Sequence, residues 1–154
     1  MAAGYGIHAG EDGLLAWSEV RERMELSRSY WVCTVRPDGR PHAMPVWAVW
    51  LDDVLWFSTG QESVKARNLA ANPAVVVHLE SGDDAVIFEG TAERVAGPDR
   101  ALFERIADAY GAKYEGFRPE YPGPGEAWYA LGPTKVFAWH ERDYPRTATR
   151  WKLA

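Results

Sequence analysis

Between Ser29 and Gly60 three apolar runs, rich in β-branched and aromatic residues, are separated by only two tight turns. "SYWVCTVRP" (29–37) meets "PDGR" (37–40), "PHAMPVWAVWL" (41–51) meets "LDDV" (51–54), and "VLWFSTG" (54–60) follows. Connections this short join neighbouring antiparallel strands, because a parallel pair needs a crossover of a dozen or more residues. Pro and Gly in "PDGR" sit where a hairpin turn favours them. The chain is therefore constrained to begin as an antiparallel meander.

The remaining segments extend this reading. "LLAWSEVRERMEL" (14–26) is a short amphipathic helix, with Leu14, Leu15, Val20 and Met24 on its apolar face. Residues 62–71 form a second short helix, closed by Asn72-Pro73. "AVVVHLE" (74–80) is a buried strand. "AVIFEGTAERV" (85–95) alternates, with Val86, Phe88 and Ala92 on one face and Glu89, Thr91 and Glu93 on the other. A longer helix starts at Gly97-Pro98-Asp99, with Pro at a first helical position, and runs to about Lys113. "PEYPGPGEAW" (119–128) is a loop, and "PTKVFAWHE" (133–141) is the last strand. About six short strands with helices between them predict a mainly β (α+β) fold, since closing such strands into a small barrel removes exposed edges. The expectation is one domain over 1–154, with 1–12 as a flexible lead-in and 142–154 as a polar tail.

The 22 acidic and 17 basic residues give a net charge of −5, which argues against nucleic acid as the main partner. The one cysteine, Cys33, makes no internal disulfide, so a reduced cytoplasmic protein is expected, with Cys33 as a small buried side chain. No apolar run reaches the roughly 18 residues a membrane helix needs, and the N-terminus lacks the basic and apolar segments of a signal peptide. His8, His42, His78 and His140 fall in separate elements without metal-ligand spacing.

Two stretches carry chemistry. Residues 41–51 are apolar on both faces, so the face turned away from a barrel interior needs a cover: a partner subunit, a flat ligand, or a helix over an edge strand. Pro45 cannot donate to a sheet ladder and marks a bulge or edge. In "FSTGQESVKARNLAANP" (57–73), hydroxyls, free helix amides and the cations Lys65 and Arg67 converge where a strand hands over to a helix. Cations sit at the wrong end of a helix dipole there. One reading is a phosphate site. The other is that Ser63 caps the helix while Lys65 and Arg67 pair with Glu62 or solvent. The glycine pattern of a P-loop is absent.

Taken in order, "TVRPDGRPHAMPVWAVWLDDVLWFSTG", "SVKARNLAANPAVVVHLES" and "VIFEGTAERV" resemble the pyridoxamine 5'-phosphate oxidase-like family, and more narrowly its flavin and deazaflavin oxidoreductases. The resemblance implies a six-stranded antiparallel split β-barrel of FMN-binding type with flanking helices. It implies a homodimer with F420, or else FMN, in a groove between subunits. Carried over by position, Ser58, Thr59, Ser63, Lys65, Arg67 and Asn68 would hold the cofactor phosphate, and Met44, Pro45, Val46 and Trp47 would lie along the ring system. "KARNL" after a strand ending in Ser-Thr resembles the F420-using branch, whose acidic tail needs further cations; Arg36, Arg40, Lys113 and Arg118 are the candidates. The segment by which true pyridoxamine phosphate oxidases bind their substrate is missing, which argues against vitamin B6 oxidation.

The implied activity is hydride transfer to or from a small electron-poor organic substrate. The cofactor brings the reactivity and the protein brings binding and orientation, so no catalytic acid or base stands out; water, a Tyr or a His is the expected proton source, with no ranking among Tyr30, His42 and His78. Two rivals remain: a cofactor carrier or sensor without turnover, and a haem-binding barrel with a His or Cys ligand.

Overall fold

The computed structural model describes residues 14–153; the expected lead-in over 1–12 and His8 lie outside them. In chain order the elements are α1 (Trp17–Leu26), β1 (Tyr30–Val35), β2 (Pro41–Val46), β3 (Val49–Leu51), β4 (Val54–Ser58), α2 (Val64–Ala71), β5 (Ala74–His78), β6 (Asp84–Val95), α3 (Arg100–Lys113), β7 (Trp128–His140), a 3-10 turn (Glu141–Asp143), α4 (Tyr144–Thr147) and β8 (Thr149–Lys152). All strand pairs are antiparallel, in the order β2-β1-β5-β6-β7-β4-β3, with β8 added beside β7.

The two ends of that order, β2 and β3, are separated in sequence only by Trp47 and Ala48. A sheet whose outermost strands are consecutive in the chain must curl until they meet. The result is the half-barrel with flanking helices expected from the resemblance. The strand count differs: the run 41–51 is two strands, and the polar tail supplies β8. β7 also begins at Trp128, inside the segment expected to be a loop. Asp99, not Pro98, opens α3: its carboxylate caps the Leu102 amide at 3.0 Å. Pro45 lies on an edge strand opposite Trp31, where its missing N–H faces away from the ladder.

Two apolar clusters hold the sheet. Tyr30 and Val32 of β1, Leu55 and Phe57 of β4, Phe88 of β6 and Leu131 of β7 fill the barrel, joined by Val20 and Met24 of α1. On the other side of β4, Trp56 packs with Phe103, Ile106 and Tyr110 of α3. That is why "VLWFS" reads as a continuous apolar run: both faces of the strand are covered. The ladder between β6 and β7 slips at Glu89/Gly90. There a Cβ on Gly90 would stand 2.1 Å from the Gly132 carbonyl oxygen, so only glycine fits.

The turn from β3 to β4 ties two helices down. Asp52 and Asp53 both have positive φ, 53° and 59°, as a two-residue hairpin turn of this hand requires. Asp53 receives Arg21 of α1 through two bonds of 2.7 Å, and Asp52 receives Arg105 of α3 at 2.9 and 3.1 Å.

Candidate functional site

β4 ends at Ser58, and the chain turns through Gly60, whose carbonyl accepts the Ser63 amide at 2.9 Å. Ser63 caps α2: its hydroxyl accepts the Ala66 amide at 3.2 Å and the Thr59 hydroxyl at 3.1 Å. Ser58 is exposed and Thr59 half-buried. Lys65 and Arg67 form no ion pair among the described residues, with Glu62 or any other carboxylate. The structure thus brings the Thr59 and Ser63 hydroxyls together beside Ser58 at this turn, while Lys65 and Arg67 follow on the first turns of α2 and Arg67 lines a groove that contains none of the three hydroxyl residues.

Asn68 is different. It is only 2% exposed, and its amide donates to Thr34 Oγ1 at 3.0 Å. One of its two side-chain N–H donors ties α2 to β1. Beside Thr34, across the β1–β2 ladder, lies His42. Burial first, then the charges of Arg36 and Lys65, hold its imidazole below the usual histidine range. Its Nδ1 is buried without a partner among the described residues. His42 is not among the residues expected at the phosphate, and its position opposite Thr34 follows only from strand register.

A groove of about 370 Å³ runs between α2 and the β1–β2 turn, lined by Arg36, Arg40 and Arg67 among others. Arg40 is paired with Asp38 at 2.8 Å, and Arg36 forms no ion pair among the described residues. On the other side of the junction a pocket of about 300 Å³ is lined by Ser58, Thr59 and Trp128, with Glu120 and Glu126 as its charged groups. The other two cations expected near an acidic tail are elsewhere. Arg118 is committed to Glu104 and Asp108 at 2.5 and 3.0 Å, and Lys113 lies under the break between β2 and β3.

That break carries the other predicted stretch. Met44 and Trp47 are large apolar side chains left 45% and 44% exposed, Pro45 is exposed, and Val46 is half-buried against the core. Trp47 stacks flat on Tyr114 at 4.4 Å, meets Phe117 edge-on at 6.0 Å, and carries the Arg28 guanidinium 5.3 Å above its ring. Leaving the ladder strips Trp47 and Ala48 of strand partners, and the end of α3 replaces them. Tyr110 donates to the Trp47 carbonyl at 2.9 Å, the Ala48 amide donates to the Tyr114 hydroxyl at 2.9 Å, and Lys113 donates to the Ala48 carbonyl at 3.2 Å. Lys113 Nζ also lies 2.5 Å from the Tyr30 hydroxyl, and burial pulls its ammonium down to about 8. Burial likewise pushes the Tyr30 and Tyr110 phenols far above their usual value. Tyr30 is completely buried and donates to the Met24 carbonyl, so it is out of reach of a substrate.

The family model described as pyridoxamine 5'-phosphate oxidase matches residues 16–140. The chain belongs to that family. Within it, three solved structures show the fold. The conserved hypothetical protein Rv2991 from Mycobacterium tuberculosis is 25% identical, over 90% of this chain and 91% of its own, with a TM-score of 0.71. An F420 reductase is 27% identical, over 75% of this chain and 94% of its own, with a TM-score of 0.56. A pyridoxamine 5'-phosphate oxidase-related, FMN binding protein from Nostoc punctiforme is 17% identical, over 91% and 98%, with a TM-score of 0.63. No curated protein matches the chain. None of the described helices is long and apolar enough to cross a membrane.

Proposed function

We propose that the chain is an oxidoreductase that binds F420, with FMN as the alternative, in a groove shared by two copies. The observation that carries this reading is the turn from β4 to α2. Thr59 and Ser63 place two hydroxyls against each other there, and Lys65 and Arg67 find no carboxylate among the described residues. A phosphate takes such donors and supplies the missing charge. The residues fit the group at its other end too, since Met44 and Trp47 leave apolar surface open for a flat ring. Family membership, with an F420 reductase and an FMN binding protein among the similar structures, points to the same two cofactors. Preference for F420 rests on the neighbouring groove, where Arg36, without an ion-pair partner among the described residues, adds a cation for an acidic tail, whereas Arg40 is already paired with Asp38.

Such a cofactor supplies hydride transfer to or from a small electron-poor substrate. The protein's part is to fix the anionic end at Ser58, Thr59, Ser63, Lys65 and Arg67, and to keep Trp47 rigid through Tyr114 and the α3 hydroxyls. The second copy is inferred from the outer face of the sheet. Pro45, Trp31, His78, Ile87 and Phe137 form one row across five strands, and none of them is buried in the single chain. Sedimentation at micromolar concentration is expected to give a dimer; a clean monomer would remove the shared groove.

Titration with F420 and FMN side by side tests the proposal. Tighter binding of F420, with turnover of an electron-poor acceptor, supports it; binding without turnover makes the protein a carrier or sensor, and no binding of either removes the assignment. One observation favours a haem reading as its rival. His78 Nδ1 lies 2.7 Å from the Leu79 carbonyl, which puts its hydrogen on Nδ1 and leaves the Nε2 lone pair available. An intense Soret band on adding haem, lost in His78→Ala, would decide for it.

A further inference from the structure

The imidazole of His140 is held from both sides. Its Nδ1 lies 2.6 Å from Asp84 Oδ1 on β6, and its Nε2 lies 2.7 Å from Glu19 Oε1 on α1. A carboxylate offers only acceptors, and a neutral imidazole has only one N–H. Two such contacts to ionised carboxylates therefore need hydrogens on both ring nitrogens. The carboxylates lie on opposite sides of the ring, so they share no ion, and no group of metal-ligating side chains occurs among the described residues.

The two contacts are unequal. Asp84 and His140 are register partners in the β6–β7 ladder, and the His140 amide is fixed by Thr147 Oγ1 at 2.9 Å. The sheet therefore keeps Asp84 beside the ring in either protonation state. The His140 hydrogen bond, with the charges of Arg23 on α1 and Arg142 on the 3-10 turn, holds the Asp84 carboxyl below the usual carboxylate range against the opposing effect of burial. Asp84 thus stays ionised and retains the hydrogen on Nδ1. Glu19 belongs to a helix docked from outside, so its contact is the one that fails. We propose that His140 is a pH-operated latch: the imidazolium fastens α1 to the barrel through Glu19, and the neutral ring turns a lone pair toward that carboxylate and releases it.

What the latch secures is more than one surface bond. α1 buries Val20 and Met24 in the barrel core, and the Met24 carbonyl is the acceptor for Tyr30. Tyr30 in turn neighbours Lys113, which braces Ala48 at the strand break. Looser docking of α1 removes the first support in that series.

Hydrogen exchange of the α1 amides, expressed as protection relative to the unfolded chain, tests this at about pH 6 and about pH 8.5. Protection of α1 is expected to fall about tenfold at the higher pH, the loss of one charge-assisted bond, while α3 serves as the internal reference. His140→Gln carries no imidazole and is expected to show the same α1 protection at both values. Glu19→Gln is the deciding variant. Its amide donates to the neutral ring's Nε2 and its carbonyl accepts from the imidazolium, so α1 should stay protected at both values. Equal protection of wild-type α1 at the two values overturns the proposal. So does a fall in Glu19→Gln as large as in wild type, or a fall that persists in His140→Gln.

Discussion

Lys113 Nζ stands 2.5 Å from the Tyr30 hydroxyl, and among the described residues no carboxylate neutralises it. Its pKa is pulled from the usual 10.5 to about 8 by burial. The folded state therefore disfavours the charged form. Between about pH 8 and 10.5 the unfolded chain holds the proton more tightly than the folded chain, so stability rises with pH across that window. Lys113→Met, which keeps the stem and removes the charge, is expected to stabilise the protein at pH 7 by about 2 kcal/mol, allowing for the solvent that still reaches the group. Tyr30 keeps its acceptor at Met24, and the Ala48 carbonyl keeps the Tyr114 hydroxyl at 2.9 Å. Denaturant unfolding of both proteins at pH 7 and pH 10 checks this: the gap should narrow at the higher pH.

Lys65→Ala should weaken binding of F420 and of FMN by about 1–3 kcal/mol, the loss of a charge-assisted contact to the phosphate, with little change in stability because Lys65 has no ion-pair partner among the described residues. Ser63→Ala should act on both quantities. It removes a phosphate donor and also the cap on the Ala66 amide, the latter worth about 1 kcal/mol of stability. Titration and thermal unfolding of the two variants separate binding from folding. Unchanged affinity in Lys65→Ala would end the phosphate assignment.

Much of the fold is legible because strands and turns announce themselves locally. "PDGR" and "LDDV" mark the hairpins, and Val86, Phe88 and Ala92 alternate inward as β6 requires. Ser63 is readable as a cap from its place before the helix. The break at Trp47-Ala48 is not readable, since no Gly or turn signal marks it. The groups that satisfy its backbone, on Tyr110 and Tyr114, come from 63 and 66 positions away. β8 is missed for a similar reason: "TRWK" is polar and gains its order by pairing with β7. The first residues of β7 are obscured by Gly132 and Pro133, which belong to the slipped register with β6. At the site, the hydroxyls and cations are legible as residue types in one stretch. The inward turn of Asn68 depends on Thr34, a contact between positions 34 apart that helical spacing does not reveal.

Gly90 and Gly132 should respond oppositely to alanine. A methyl on Gly90 meets the Gly132 carbonyl oxygen at 2.1 Å, and this neighbour is backbone that cannot swing away. Gly90→Ala is expected to cost about 3 kcal/mol or more by forcing the β6–β7 ladder apart. A methyl on Gly132 meets nothing within 4 Å, so Gly132→Ala should lie within about 0.5 kcal/mol of wild type. Urea midpoints of the two variants test the slipped register directly; comparable losses in both would contradict it.

Tyr114→Phe isolates the brace at the strand break. The ring remains, so its flat contact with Trp47 at 4.4 Å and its place in the α3 cluster are preserved. Only the hydroxyl goes, and with it the acceptor of the Ala48 amide and a donor shared between the Ala48 and Arg28 carbonyls. Ala48 is fully buried, so water cannot replace that acceptor, and a buried N–H left without a partner costs about 1–3 kcal/mol. The Ala48 carbonyl keeps Lys113 at 3.2 Å, so the loss concentrates on the amide. Because Trp47 is the residue before Ala48, the proposed ring site should loosen as the barrel closure does. The expected result is a stability loss of that size together with weaker binding of both cofactors. Lys65→Ala should lower affinity alone, so a Tyr114→Phe protein with full stability and lowered affinity would mean that the hydroxyl acts on the ligand rather than on the chain.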